Sequence, residues 1–128
     1  MLERLSIVIV DDDTIVRDML HDVIDTHFPA SFVMGVGDLR DARALVETFI
    51  PTLMLVDRQL PDGDGLDLVR EVRANPSLAR TRIVVMTAEV SDMVRDAARA
   101  AGADMFLAKP FPIGAVVAMV RAVTDAVG

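Results

Sequence analysis

LSIVIVDDD, at positions 5–13, decides the fold class of this chain: six almost wholly apolar residues end at Asp11, Asp12 and Asp13. An apolar run with little polar alternation is typical of a strand that is covered on both faces, as in a parallel sheet. Three later runs have the same form: LMLV before Asp57, IVVM before Thr87 and MFLA before Lys109. If the four runs are neighbouring parallel strands, their end residues meet at one edge of one sheet.

The rest of the chain alternates between strand and helix patterns. We predict strands near 5–10, 31–36, 52–57, 82–87 and 104–108, and helices near 14–27, 38–49, 65–74, 91–101 and 112–127. The helices carry apolar stripes, which in the first helix are Val16, Met19, Leu20, Val23 and Ile24. Five strand–helix units predict an α/β fold, a doubly wound five-stranded parallel sheet with right-handed crossovers and five helices.

The composition indicates one domain, residues 1–128, in which 52% hydrophobic residues suffice for a core. A net charge of −7 disfavours binding of nucleic acid or of an anionic membrane by this domain. The absence of cysteine excludes disulfides, thiolate metal sites and thiol nucleophiles. No apolar run reaches the roughly 18 residues of a membrane span, and the first run is too short for a signal peptide. We therefore expect a soluble, cytoplasmic domain.

The residues at the strand ends indicate phosphate and metal chemistry. Lys109 is the only lysine beside twelve arginines, and a compact ammonium approaches a phosphoryl oxygen as a point charge, unlike a planar guanidinium. Asp12 and Asp57 offer the carboxylate oxygens that Mg²⁺ prefers. A carboxylate can also act as a nucleophile and form an aspartyl phosphate.

Together with the loop DRQLPDGDG at 57–65, these residues resemble the receiver domains of two-component response regulators, the CheY-like family. The matching motifs are Asp11-Asp12, Asp57 with Leu60-Pro61 and Asp64-Gly65, Thr87-Ala88, and Lys109-Pro110-Phe111. They span essentially the whole chain, in order. The resemblance implies the flavodoxin-like strand order 2-1-3-4-5 and a signalling phosphoacceptor rather than an enzyme.

The resemblance also implies the phosphorylation and metal sites. Asp57 is then the residue that takes the phosphoryl group. The cofactor is Mg²⁺, or Mn²⁺, held by the side chains of Asp12 and Asp57 and by the backbone carbonyl of Gln59. Asp11 would bind the ion through water or adjust the local field, the alternative being a charge that favours the first helix.

Three residues are implied to bind the phosphoryl group: Thr87, Ala88 and Lys109. Two others, Gln59 and Glu89, stand at the positions that set the lifetime of the phosphoryl group in this family. We expect an intermediate lifetime, because both side chains are polar and able to hold or repel an attacking water.

The implied partners are a sensor histidine kinase or a histidine phosphotransfer protein, and an output that reads the fourth helix, fifth strand and fifth helix. Thr87 and Phe106 are the expected switch pair. The last helix has few charges and many apolar residues, so we expect it to serve a homodimer or an effector domain. Asp104 is followed by Met105 and not by a second acid, which argues against the charge-paired dimer of some relatives.

Several residues have simpler interpretations. We expect Asp13 to cap the first helix, Asp62 and Asp64 to serve the turn, and His21 and His27 to bind no metal.

Two other functions are weighed. A haloacid dehalogenase-type phosphatase would use Asp11 and Asp13, but Ile15 departs from that motif and Asp57 would have no role. A pseudo-receiver would act only as an interaction module, which the intact set of site residues disfavours. We expect a stand-alone regulator, the alternative being the receiver portion of a longer protein.

Overall fold

The structure is a computed structural model that describes residues 5–127, with side chains described to Asp125. Its helices and sheet strands run in the order β1 Ser6–Val10, α1 Thr14–His27, β2 Phe32–Val36, α2 Leu39–Thr48, β3 Leu53–Asp57, α3 Gly65–Ala74, β4 Arg82–Thr87, α4 Asp92–Ala101, β5 Met105–Ala108 and α5 Ile113–Val127. Two short features were not predicted: an antiparallel hairpin of Gln59–Leu60 with Gly63–Asp64, and a 3-10 turn at Pro76–Leu78.

The five sheet strands are all parallel and lie in the order β2-β1-β3-β4-β5. This confirms the predicted doubly wound, flavodoxin-like fold. The strand order reverses direction between β1 and β3, where such sheets form a crevice beyond the carboxyl ends of their strands.

The strands are buried on both faces, as their apolar runs predicted. Side chains alternate: Val8 and Met54 face a core shared with α2, α3 and α4, whereas Ile7 and Leu55 face a core shared with α1 and α5. Two layers of helices therefore cover the sheet, and its carboxyl-terminal edge stays open.

The predicted element ends agree with the structure to within one residue. Four strands begin one residue later than predicted, and the helix differences arise at the helix ends, where a cap residue is not itself helical. Asp38 and Ser91 cap α2 and α4, and Phe49 follows the last turn of α2. Asp13 caps α1 as predicted, since its carboxylate accepts from the backbone N–H groups of residues 15 and 16.

The last helix packs one apolar stripe against the core. Val116, Met119, Val120 and Val123 are all buried, while Ile113 remains exposed at the start of the helix. The use of this face by a partner stays a prediction. Within residues 5–127, no helix combines the length and the apolar character that crossing a bilayer demands.

Candidate functional site

The register of the strands brings the four predicted end residues together. Val10 pairs with Val56, so Asp11 and Asp57 follow at the same level on adjacent strands β1 and β3. Asp57 pairs with Met86 on β4, and Thr87 pairs with Ala108 on β5. The ends of neighbouring strands thus differ in level by at most one residue. Lys109, which follows β5, therefore lies at the same edge of the sheet.

Lys109 joins two buried carboxylates across this edge. Its Nζ donates to Asp11 Oδ2 at 2.7 Å and to Asp57 Oδ2 at 3.1 Å. Asp11 is 0% exposed and Asp57 only 7%, whereas the lysine side chain keeps 20% of its surface in contact with solvent. Two like charges are therefore held together by one ammonium, which leaves the cluster with an excess negative charge.

The other oxygen of each carboxylate is bound by the backbone. Asp11 Oδ1 accepts from the N–H of Asp13 at 2.9 Å, and Asp57 Oδ1 accepts from the N–H of Gln59 at 3.3 Å. These bonds orient both carboxylates, because each has a partner on both oxygens.

The pKa values reflect the crowding of charge. Burial, and then the neighbouring charge of Asp11, raise the pKa of Asp57 above its usual range, although Lys109 opposes this shift. Burial alone would lower the pKa of Lys109, but its hydrogen bonds to Asp11 and Asp57 outweigh that effect and raise it. Lys109 is therefore a permanent cation at this site, and Asp57 is a more basic carboxylate than an exposed aspartate.

The backbone after Asp57 turns tightly, which requires glycine at position 65. A Cβ on Gly65 would lie 2.1 Å from the carbonyl oxygen of Asp57. The N–H of Gly65 donates to the carbonyl of Arg58 at 2.7 Å. The loop therefore folds back over the strand end, and the hairpin of residues 59–64 forms one wall of the site.

Thr87 is buried, at 3% exposure, at the end of β4. Its Oγ1 accepts from the N–H of Glu89 at 3.1 Å. The Glu89 carboxylate accepts from Arg58 Nη1 at 2.9 Å, and Arg58 Nε lies 3.7 Å from Asp64. An ion pair thus links the loop after β3 to the loop after β4, outside the cleft itself.

Most of the predicted site residues share one cleft of about 390 Å³. Seven of them line it together with Asp13, Leu60 and Pro61: Asp11, Asp12, Asp57, Gln59, Thr87, Ala88 and Lys109. Glu89 and Phe106 do not line it. Sequence reasoning did not find the Arg58–Glu89 pair, for which a charged residue on each loop was the sole signal.

A divalent cation fits the acidic part of the cleft. One oxygen from each of Asp11, Asp12 and Asp57 lies within 4.8 Å of the others. Oxygens that share a Mg²⁺ ion with bonds near 2.1 Å stand about 3–4 Å apart. Asp12 is the exposed member of this group, whereas Asp11 and Asp57 are buried.

Asp62 lies in the turn of the hairpin, as predicted, and its side chain also binds another element. Its carboxylate accepts from the N–H groups of Leu39 and Arg40, at 2.9 and 3.0 Å, and so reaches the start of α2. Asp64 caps α3, with its Oδ1 accepting from the N–H of Leu66 at 2.9 Å. These bonds to α2 were not predicted, because the partners are more than twenty residues away along the chain and the local sequence pattern does not indicate them.

Phe106 lies on the surface formed by α4 and β5. The guanidinium of Arg95 stands 5.1 Å from the centroid of its ring, a cation–π contact. The nearby Asp104 is engaged within the chain, by Arg73 and by Arg82 at 3.6 Å. Its carboxylate is therefore already neutralised by cations of the same molecule.

The family model described as the response regulator receiver domain matches residues 7–121. The chain belongs to the response regulator receiver domain family. This confirms the resemblance seen in the sequence, and receiver domains are signalling phosphoacceptors rather than enzymes in the usual sense.

Among the relatives is the cyclic di-GMP phosphodiesterase response regulator RpfG of Xanthomonas campestris pv. campestris, 39% identical over 106 residues. The transcriptional regulatory protein GltR of Pseudomonas aeruginosa is 33% identical over 118 residues. These matches cover 83% and 91% of this chain, which spans only 28% of RpfG and 48% of GltR. The structure of chemotaxis response regulator CheY4 of Vibrio cholerae superimposes with a TM-score of 0.87 at 24% identity, over 94% of this chain and 99% of that one.

Proposed function

We propose that residues 1–128 form one receiver domain that takes a phosphoryl group onto Asp57 in two-component signalling. The observation that supports this most is the single ammonium of Lys109, bonded to Asp11 and Asp57 in the cleft that Thr87 also lines. Such an arrangement holds a nucleophile beside a cation that can follow the transferred charge.

The reaction is a simple displacement. A carboxylate oxygen of Asp57 attacks phosphorus, a new P–O bond forms, and the bond to the donor breaks with its electron pair on the donor. With a phosphohistidine donor this is a P–N bond, and with an acyl phosphate it is a P–O bond. The transition state is loose, so the domain contributes position and charge rather than covalent chemistry.

The residues around Asp57 divide this work. Lys109 can move from Asp57 to an oxygen of the incoming group, because Asp11 retains it in the cleft. The Thr87 hydroxyl oxygen accepts from the backbone N–H of Glu89, so the hydroxyl proton of Thr87 remains available to donate to a phosphoryl oxygen. The backbone of Ala88 lines the same cleft.

Mg²⁺, or Mn²⁺, would be held by Asp12, Asp57 and the carbonyl of Gln59, with Asp11 bound through water. When bound, this ion neutralises charge on the transferring phosphoryl group. The three carboxylate oxygens within 4.8 Å of one another support this assignment. Gln59 and Glu89 then set how readily water reaches the phosphorylated Asp57.

The donor is a sensor histidine kinase or a histidine phosphotransfer protein, and the transfer takes place in the cytoplasm. The output is read from the surface of α4, β5 and α5, by an effector domain or a second copy of the chain. Thr87 moves toward the phosphoryl group, and the ring of Phe106 turns inward and leaves Arg95. The phenylalanine has no hydroxyl, so no hydrogen bond holds its inward rotamer.

Intact-mass measurement after incubation with acetyl phosphate and Mg²⁺ tests this function. We expect an adduct of about 80 Da that does not form when a chelator is present from the start or in Asp57→Asn. Release of phosphate without an adduct would favour the phosphatase interpretation. Absence of both adduct and release, at saturating Mg²⁺, would favour the pseudo-receiver and overturn the proposal.

A further inference from the structure

The turn of the hairpin after β3 is bound to another element of the fold. Asp62, at this turn, accepts from the N–H groups of Leu39 and Arg40 at 2.9 and 3.0 Å, one on each carboxylate oxygen. The bond to Leu39, and then the bond to Arg40, lower the pKa of Asp62, so its carboxylate stays charged at neutral pH. Charge-assisted bonds to backbone N–H groups are stronger than neutral ones.

The same turn packs tightly against α2. Gly63 has φ of +151°, and a Cβ there would lie 2.8 Å from Cδ1 of Leu39. Leu39 itself is 1% exposed and belongs to the core beneath the sheet. The turn is therefore tied to a rigid part of the molecule.

The base of the hairpin leads into the cleft. Gln59 pairs with Asp64 and Leu60 pairs with Gly63. At its start, the N–H of Gln59 donates to Asp57. The backbone of Gln59 is thus held from one side by Asp57 and from the other by the hairpin whose turn Asp62 secures.

We propose that Asp62 is a positioning residue for the divalent cation site, because it ties the hairpin that carries the Gln59 carbonyl to the first turn of α2. This inference rests on the proposed function, in which Gln59 is a metal ligand. Asp62 does not touch the ion. It acts by keeping one wall of the cleft at the distance that the ion requires.

If Asp62 only stabilised α2, its removal and the removal of Asp38 would have the same effect on Mg²⁺ binding. Asp38 therefore serves to distinguish a positioning role from a purely structural one. Asp38 caps the same helix from within its own segment, accepting from the N–H of Asp41 at 2.8 Å. Asp38→Ala removes one carboxylate and one cap from α2, as Asp62→Ala does. It leaves the hairpin attached.

The experiment is a calorimetric titration of the full chain with Mg²⁺ alone, for wild type, Asp62→Ala, Asp62→Asn and Asp38→Ala. We expect Asp62→Ala to weaken Mg²⁺ binding about tenfold, the lower end of the effect of outer-shell groups, and Asp38→Ala to stay within about twofold. Asp62→Asn should fall between them, because its carbonyl oxygen keeps one of the two bonds. At saturating Mg²⁺, phosphorylation of Asp62→Ala by acetyl phosphate should approach the wild-type rate.

Two results would overturn the inference. One is Mg²⁺ affinity in Asp62→Ala that equals wild type, and the other is an equal loss in Asp38→Ala, which would point to general loosening of α2. Failure of the wild-type chain to bind Mg²⁺ would overturn the proposed metal site together with this role for Asp62. Melting temperatures in chelator, recorded for all four proteins, show that each variant is folded.

Discussion

Replacement of Lys109 by methionine should destabilise the domain through the two carboxylates that it leaves behind. Methionine keeps an unbranched side chain but removes the charge. Asp11 is fully buried and bonded to Nζ at 2.7 Å, and Asp57 is nearly buried at 3.1 Å. Both would then lie in one cleft with no cation between them.

The size of the effect follows from the burial of the pair. Removal of one partner from a buried ion pair costs about 3–5 kcal/mol. Because 20% of the Lys109 side chain is exposed and water can enter the open cleft, we expect a smaller cost than this range, about 2–3 kcal/mol. For a domain of this length, each kcal/mol lowers the melting temperature by about 3–4 °C, so the expected fall is about 6–12 °C.

Thermal unfolding in chelator, followed by circular dichroism, measures this change. Arg70→Met is the matched control, because it removes a cation from an exposed pair with Asp67 at 2.9 Å and should cost about 0.5 kcal/mol or less. Addition of Mg²⁺ should recover part of the loss in Lys109→Met, since a divalent cation can neutralise the same carboxylates. A melting temperature for Lys109→Met equal to that of Arg70→Met would refute the reasoning.

Three further predictions concern other parts of the site. In chelator at neutral pH, Asp57→Asn should have a higher melting temperature than wild type, because the raised pKa of Asp57 means that its ionised form destabilises the fold. The difference should vanish as the pH falls below about 4, where Asp57 is protonated in both the folded and the unfolded chain. An Asn variant that is less stable than wild type at neutral pH would contradict this prediction. Gly65→Ala should lower the free energy of unfolding, measured with denaturant, by about 3 kcal/mol, because its Cβ would lie 2.1 Å from a backbone oxygen. Gly114→Ala is the control and should not lower it, because its Cβ would have nothing within 4 Å. Equal effects of the two substitutions would count against the tight turn. Phe106→Trp introduces the sole tryptophan of the chain. Its fluorescence emission should shift to shorter wavelength when acetyl phosphate and Mg²⁺ are added, but not when Asp57→Asn is also present. Constant emission would argue against an inward turn of the ring.

The fold was predictable because its signals are local. An apolar run without alternation indicates a strand covered on both sides, and a polar residue directly after it must lie at the sheet edge. Asp11, Asp57, Thr87 and Lys109 could therefore be assigned to one cleft before any coordinates were known. The starts of α2 and α4 were predicted one residue too early, because Asp38 and Ser91 are residue types that are typical of helix starts but have the extended backbone of N-caps.

What could not be predicted depends on contacts between distant residues. The sequence assigned different roles to the three consecutive aspartates, but it did not predict that Asp11 is fully buried and bonded to Lys109, which is 98 residues away. Asp62 has the sequence signature of a turn residue, and its bonds to α2 depend on how the hairpin folds back. The ion pair between Arg58 and Glu89 likewise appears only when the loops after β3 and β4 meet.

Localisation of the phosphoryl group within the chain tests the central claim most directly. The domain is incubated with acetyl phosphate and Mg²⁺, treated with borohydride, which reduces an aspartyl phosphate to homoserine, and mapped by tandem mass spectrometry of its peptides. We expect homoserine at position 57 and at no other aspartate. Homoserine at Asp11 or Asp12, with Asp57 unchanged, would contradict it.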